Sequence, residues 1–215
     1  MGTDAANGAG DGTATSEGGG RVLHATTPLD EAFVRSLRCG DEVWLDGTVW
    51  GVRDASLIRF FDEGKRVDAD FGGAVFLHTA PSVRPDGSGG YLPVSVGTTT
   101  SMRMDRFTRG CLDELGVRAI VGKGGLSAES LEHLRRSGGV YLAVTGGAAS
   151  VQTRQVAEIE DVLWEDLMPE CLWRFRMRGF GPLFVGMDSH GVSEYQRVRD
   201  TAQERRAAAR RVLGL

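Results

Sequence analysis

The 215-residue sequence has only three cysteines, far apart at Cys39, Cys111 and Cys171. An odd count without a Cys-x-x-Cys pair argues against a disulfide framework and against a zinc ribbon. Thiols this scattered also make a poor self-contained iron–sulfur site. Reduced, mostly buried thiols in a reducing cytoplasm are expected. No apolar run approaches the roughly 18 residues of a membrane span. The N-terminus has no basic segment followed by an apolar one, so no secretory signal is read there. Positive charge is not in excess either: 25 Lys and Arg against 29 Asp and Glu leave a formal net charge of −4, which argues against nucleic acid as a partner. His24, His78, His133 and His190 lack metal-ligand spacing. What remains, 41% apolar and 25% charged residues, is ordinary for one soluble globular domain, with or without a tail.

Residues 1–20 are Gly, Ala, Thr, Asp and Ser with almost nothing apolar, and are expected to be a disordered leader. A domain is expected over 21–192, followed by an exposed, Arg-rich helix over 193–215. Within the domain, Phe33, Val34 and Leu37 suggest a short helix, and Asp46-Gly47 a hairpin turn. Arg53-Asp54 opens a helix with Leu57, Ile58 and Phe61 on its apolar side. Short apolar runs at 74–77, 92–96, 117–121 and 140–144 read as strands, as do 162–164, 172–177 and 183–185, with Arg178 to Pro182 as the turn between the last two. Leu131 and Leu134 anchor a helix that stops at Gly138-Gly139. The four tryptophans, Trp44, Trp50, Trp164 and Trp173, read as strand residues in the core. Strands alternating with helices indicate a mixed α/β layer fold.

The stretch Gly97-Thr98-Thr99-Thr100-Ser101-Met102-Arg103-Met104-Asp105 carries the most chemistry. Met104, Phe107, Cys111, Leu112 and Leu115 recur at helical spacing, so Thr98 to Ser101 fall at a helix mouth, where free N–H groups favour an anion. Arg103 and, after a buried strand, Lys123 in Gly122-Lys123-Gly124 would make that anion a carboxylate or phosphate. The glycine spacing around Lys123 is not that of a nucleotide phosphate loop. Arg53 stands at a strand–helix junction, either paired with Asp54 or acting as a carboxylate clamp. Thr99 on its own reads as a helix cap. It becomes a base only where cations stabilise its alkoxide in a dry site. His78 ends a strand and borders this region.

Several segments, in order, are similar to the β subunit of L(+)-tartrate dehydratase and the C-terminal domain of class I (iron–sulfur) fumarases. They are Cys39-Gly40-Asp41, Gly47, Arg53-Asp54-Ala55, Ala80-Pro81-Ser82, Thr99 to Asp105, Gly122-Lys123-Gly124, Gly146 to Ala149, Pro169-Glu170, Trp173, Asp188 and Gly191. The resemblance implies a swivelling β/β/α domain with a mixed sheet and flanking helices. It implies half of an active site: a hydro-lyase component acting next to a carboxylate of a dicarboxylate or hydroxy acid. A partner α subunit would carry a [4Fe–4S] cluster in an αβ hetero-oligomer. Arg53, Arg103 and Lys123 would bind substrate carboxylates and Thr99 would take the proton from the adjacent carbon, with Lys123 assisting. No metal or cofactor ligand is assigned to this chain. The sequence departs from the family pattern at Leu57 (usually His), Thr98 (usually Pro) and Ala80 (usually Gly), which suggests a changed substrate. A second reading is a stand-alone carboxylate-binding accessory protein or a cofactor-free lyase.

Overall fold

The computed structural model describes residues 14–15, as backbone, and 19–214. Most of the leader expected over 1–20 thus lies outside the described residues. The strands are β1 (Ala14–Thr15), β2 (Arg21–Thr26), β3 (Glu42–Val52), β4 (Val75–His78), β5 (Ser82–Pro85), β6 (Tyr91–Ser95), β7 (Ala119–Gly122), β8 (Val140–Ala143), β9 (Val156–Leu163) and β10 (Leu172–Met187). The α-helices are α1 (Glu31–Ser36), α2 (Asp54–Phe61), α3 (Ala128–Ser137), α4 (Ala149–Gln155) and α5 (Glu194–Val212).

The main sheet runs β1-β2-β3-β4-β7-β8-β10-β9, and β10 also pairs with β3. That extra pairing closes β3, β4, β7, β8 and β10 into a ring. β2, β3, β4, β7 and β8 run parallel to one another, while β1 is antiparallel to β2 and β10 is antiparallel to β3, β8 and β9. β5 and β6 form a separate hairpin. This is the mixed sheet with flanking helices that the sequence indicates.

Period-2 alternation divides the apolar residues between two cores. Val75, Leu77, Ala119, Val121, Val140 and Leu142 join Trp173, Phe175 and Phe180 in one. Phe76, Ile120 and Tyr141, from the opposite face of the same strands, join Leu57, Phe60, Met104, Phe107 and Leu134 in the other. Strands covered on both faces read as unbroken apolar runs, which is why β4, β7 and β8 are legible in the sequence. Ser127 caps α3 by accepting from the Ser130 amide, and Gly138 ends it in the left-handed region (φ +67°), as turn chemistry requires.

Four expectations are corrected. Asp46-Gly47 is not a hairpin turn: β3 continues through it, because β2 and β10 take up the backbone groups on its two edges. Arg178 to Pro182 is not a turn between strands but a bend inside β10, marked by register shifts on either side of Phe180. On α2 the buried side is Ser56, Leu57 and Phe60, and Ile58 is exposed. Trp164 follows β9 rather than lying on a strand, and it and Trp44 are only half-buried, whereas Trp50 and Trp173 are core.

Candidate active site

Adjacent parallel strands bring their carboxyl ends to one rim, where open α/β sheets collect ligand groups. Arg53 directly follows β3, Thr79 follows β4 and Lys123 follows β7. The Thr79 amide donates to the Val52 carbonyl at 3.0 Å, tying the first two ends together. The Thr98–Ser101 segment is stitched across the next gap. Thr98 bridges Thr79, the Thr99 amide donates to the His78 carbonyl at 2.8 Å, Thr100 bridges Lys123, and the Ser101 amide donates to the Lys123 carbonyl at 3.0 Å. Backbone pairing therefore seats Thr99 between β4 and β7, beside Lys123.

The helical segment after it, 101–114, begins as a 3-10 helix over Ser101–Phe107 and ends as a π-helix over Gly110–Glu114. Its buried residues include Met104, Phe107, Cys111 and Leu112, so the apolar spacing holds although the helix is irregular. Two expectations at its mouth do not hold. The Thr99 and Ser101 amides are used in the bridges and are not free for an anion. Thr99 is not a cap either: the segment is capped at Thr100, without a side-chain hydrogen bond. The Thr99 hydroxyl is half-buried and has no hydrogen-bond partner among the described residues. Any preference for an anion here comes from side chains.

Two of those side chains meet at one carboxylate. Arg53 opens α2, its amide donating to Ser56 Oγ at 2.9 Å. Arg53 Nε lies 3.3 Å from Asp54 Oδ2 and 3.2 Å from Glu170 Oε1. Arg103 Nη2 reaches the same Asp54 oxygen at 3.3 Å. One carboxylate thus holds two arginines that lie 50 residues apart in sequence. The other Glu170 oxygen accepts from the Ala55 amide at 2.9 Å, a favourable place for an anion in the first turn of a helix. Lys123 is half-buried and forms no ion pair among the described residues. Three cations against two carboxylates leave the rim positive, with planar guanidinium forks suited to carboxylates.

Beneath the rim, His78 Nδ1 is 2.9 Å from Ser101 Oγ, and the Tyr141 hydroxyl donates to the same oxygen at 3.0 Å. Ser101 Oγ fills the space over Gly122, where a Cβ would come within 1.8 Å of it. Burial pushes the His78 imidazole down to about 4, against the opposing pull of the Asp54 carboxylate. The sequence places His78 and Ser101 near the site and the family resemblance includes Pro169-Glu170, but Tyr141 gives no signal of its own. It acts only through contacts with residues distant in sequence. Leu57 is wholly buried in the second core under α2, so this departure from the family pattern falls in packing.

The thiols do not fit an iron–sulfur cluster. Cys39 is half-buried, with Sγ donating to the Val192 carbonyl at 3.2 Å, while Cys111 and Cys171 are buried elsewhere. Burial, with Asp188 adding to it, pushes the Cys39 thiol up to about 12, and burial raises Cys171 to about 11. Cluster ligands are thiolates, and these sites favour the thiol. Among the described residues no three His, Cys, Asp or Glu are grouped to hold a metal ion. No helix among them is long and apolar enough to cross a membrane.

Comparison with known proteins bears on this rim. The sequence model of the family described as Fumarase C-terminus matches residues 11–198. The L(+)-tartrate dehydratase subunit beta of Escherichia coli (strain K12) is 38% identical over 167 residues, covering 77% of this chain and 83% of that protein. A putative L(+)-tartrate dehydratase subunit beta of Methanocaldococcus jannaschii is 33% identical over 182 residues, 82% of this chain and 93% of the relative. A putative fumarate hydratase class I of Geobacillus stearothermophilus is 33% identical over 186 residues, 86% of this chain but 36% of the relative.

Proposed function

The chain belongs to the fumarase C-terminus family, and on that footing we propose that it is the β subunit of a hydro-lyase. It would add or remove water next to a carboxylate of a dicarboxylate or hydroxy acid. The observation that carries this reading is the rim itself: Arg53 and Arg103 held by one Asp54 carboxylate, with Thr99 and Lys123 on the adjoining strand ends.

In this reading Arg53, Arg103 and Lys123 take the substrate carboxylates, and incoming carboxylates compete with Asp54 and Glu170 for the guanidinium groups. Thr99 takes the proton from the carbon beside a carboxylate. Removing that proton places the electron pair into the carboxylate as an aci-form, and fixed cations stabilise the growing charge. The same cations favour the Thr99 alkoxide, which in water is far too basic to form. Lys123, without a counter-ion of its own among the described residues, is the cation freest to do so.

The [4Fe–4S] cluster expected of the family is assigned to an α subunit, since the thiols of this chain do not suit it. The match covers 36% of the Geobacillus relative. The test is anaerobic co-expression with the α subunit, followed by a panel of dicarboxylates and hydroxy acids. A brown, oxygen-sensitive complex that turns over one of them is expected. A complex inactive on the whole panel refutes the hydro-lyase reading, and full turnover by this chain alone, colourless, refutes the cluster partner. In the active complex, Thr99→Ala should abolish solvent hydrogen exchange at the substrate carbon while substrate still binds.

A further inference from the structure

His78 takes no part in the proton transfer, yet it lies beneath the same site. Its ring is 2% exposed, at the carboxyl end of β4, and its own carbonyl holds the Thr99 amide. The direction of the hydrogen bond at Nδ1 depends on the tautomer of the ring, and Tyr141 favours one of the two. The Tyr141 O–H donates to Ser101 Oγ at 3.0 Å. Ser101 therefore keeps its own proton for His78 Nδ1. An imidazole that accepts at Nδ1 and stays neutral carries its proton on Nε2. That Nε2–H has no hydrogen-bond partner among the described residues. Nε2 is not sealed from solvent, so a ligand atom can reach it. The charged group that acts on the ring is Asp54, the carboxylate that also holds Arg53 and Arg103.

We propose that His78 is a substrate-binding residue whose Nε2–H donates a hydrogen bond to a hydroxyl or carboxylate oxygen of the bound dicarboxylate or hydroxy acid. Ser101 and Tyr141 are positioning residues that hold the ring in the required tautomer. The proposal rests on the hydro-lyase reading above and adds a neutral donor to the three cations. Such a donor can recognise a substrate oxygen without demanding another negative charge.

Two substitutions separate this role from simple anchoring of Ser101. His78→Asn keeps an acceptor near the Nδ1 position and removes the outer donor. His78→Gln keeps a donor near the Nε2 position and removes the inner acceptor. In the αβ complex, Asn is expected to lower kcat/KM about ten- to hundredfold and to weaken succinate binding to a similar extent, the usual range for a hydrogen bond to a charged group. Gln is expected to retain both within a few-fold. Asn intact with Gln impaired, or both impaired alike in complexes of unchanged Tm, overturns the proposal. Should a variant fail to assemble, a crystal structure of the wild-type complex with succinate decides. A ligand oxygen within about 3.2 Å of Nε2 is expected, and a ligand out of reach of the ring overturns the proposal. An active wild type with both variants unimpaired defeats the role of His78 alone, whereas a wild type inactive on the whole panel defeats the hydro-lyase reading beneath it.

Discussion

The Ser101 hydroxyl is hydrogen-bonded twice, to Tyr141 and to His78, and all three residues are buried. Ser101→Ala would strand a phenol and an imidazole nitrogen away from water. A loss of roughly 2–4 kcal/mol is expected, to be read as a lower urea midpoint in chemical unfolding, and an unchanged midpoint would mean that water replaces the hydroxyl. His78 gives stability a pH dependence whose sign follows from its depressed value. The unfolded imidazole binds a proton below about 6.5, while the folded one resists until about 4. The native state therefore loses ground as pH falls through that window, by roughly 3 kcal/mol in all. His78→Asn should remove this part of the slope, measured as unfolding free energy at pH 7 and pH 4.5. Arg103 shares Asp54 with Arg53 through one guanidinium nitrogen, which leaves the rest of its fork for a ligand. Arg103→Lys should therefore cost the active complex about tenfold in kcat/KM, and unchanged kinetics would place the carboxylate clamp elsewhere. The residue types at the rim are legible in the sequence, because a hydroxyl-rich loop followed by Arg and a glycine-flanked Lys is unusual. Tyr141 is not, since a Tyr in an apolar strand reads as core, and Glu170 enters only through the family resemblance, with no role attached to it.

At the scale of elements, β3 shows how tertiary pairing overrides a local signal. Asp46-Gly47 has turn chemistry, yet β2 and β10 hold the strand straight through it, and the Asp46 carboxylate accepts from the Gly179 amide at 2.8 Å to pin the bend of β10. Gly47 sits at φ +101°, and a Cβ there would come within 2.6 Å of Thr27 Oγ1. Gly47→Ala should therefore destabilise the chain by about 2 kcal/mol through left-handed strain and crowding together, visible as a lower Tm. An unchanged Tm would show that the backbone relaxes. The loop before β3 contains a comparable device. Burial alone would raise the Asp41 carboxyl, but hydrogen bonds from the Arg21 side chain and from the Arg38 and Arg21 amides outweigh it and hold it below its ordinary 3.8. Its contribution is thus complete above that value and is lost as pH falls below it. The short buried strands were readable because apolar runs of four have few other uses. β10 was not readable as one strand, because Gly179, Gly181 and Pro182 look like chain reversal, and only the partner strands show that the chain bends and goes on.

Across the whole molecule, ring closure between β3 and β10 gathers the parallel strands so that Arg53, Thr99 and Lys123 reach one rim. α5 stands apart from that machinery. None of its residues is buried, although Tyr195 at its root packs over Gly125 and Gly186. Truncation after Arg199 keeps that tyrosine and should leave the Tm unchanged, whereas a clear drop would show that the distal helix is held by the body. The family, the strand-and-helix alternation, the three cations, the hydroxyl and three widely spaced cysteines are all readable in the chain itself. These are matters of residue type and near-neighbour spacing, which the chain carries before it folds. The tertiary structure alone decided that Asp54 ties two distant arginines together, that the Thr99 hydroxyl is left without a capping partner, and that a buried Tyr141–Ser101–His78 chain lies under them. Those facts depend on which strand ends become neighbours, and the register of a closed sheet is settled only when all its strands have paired.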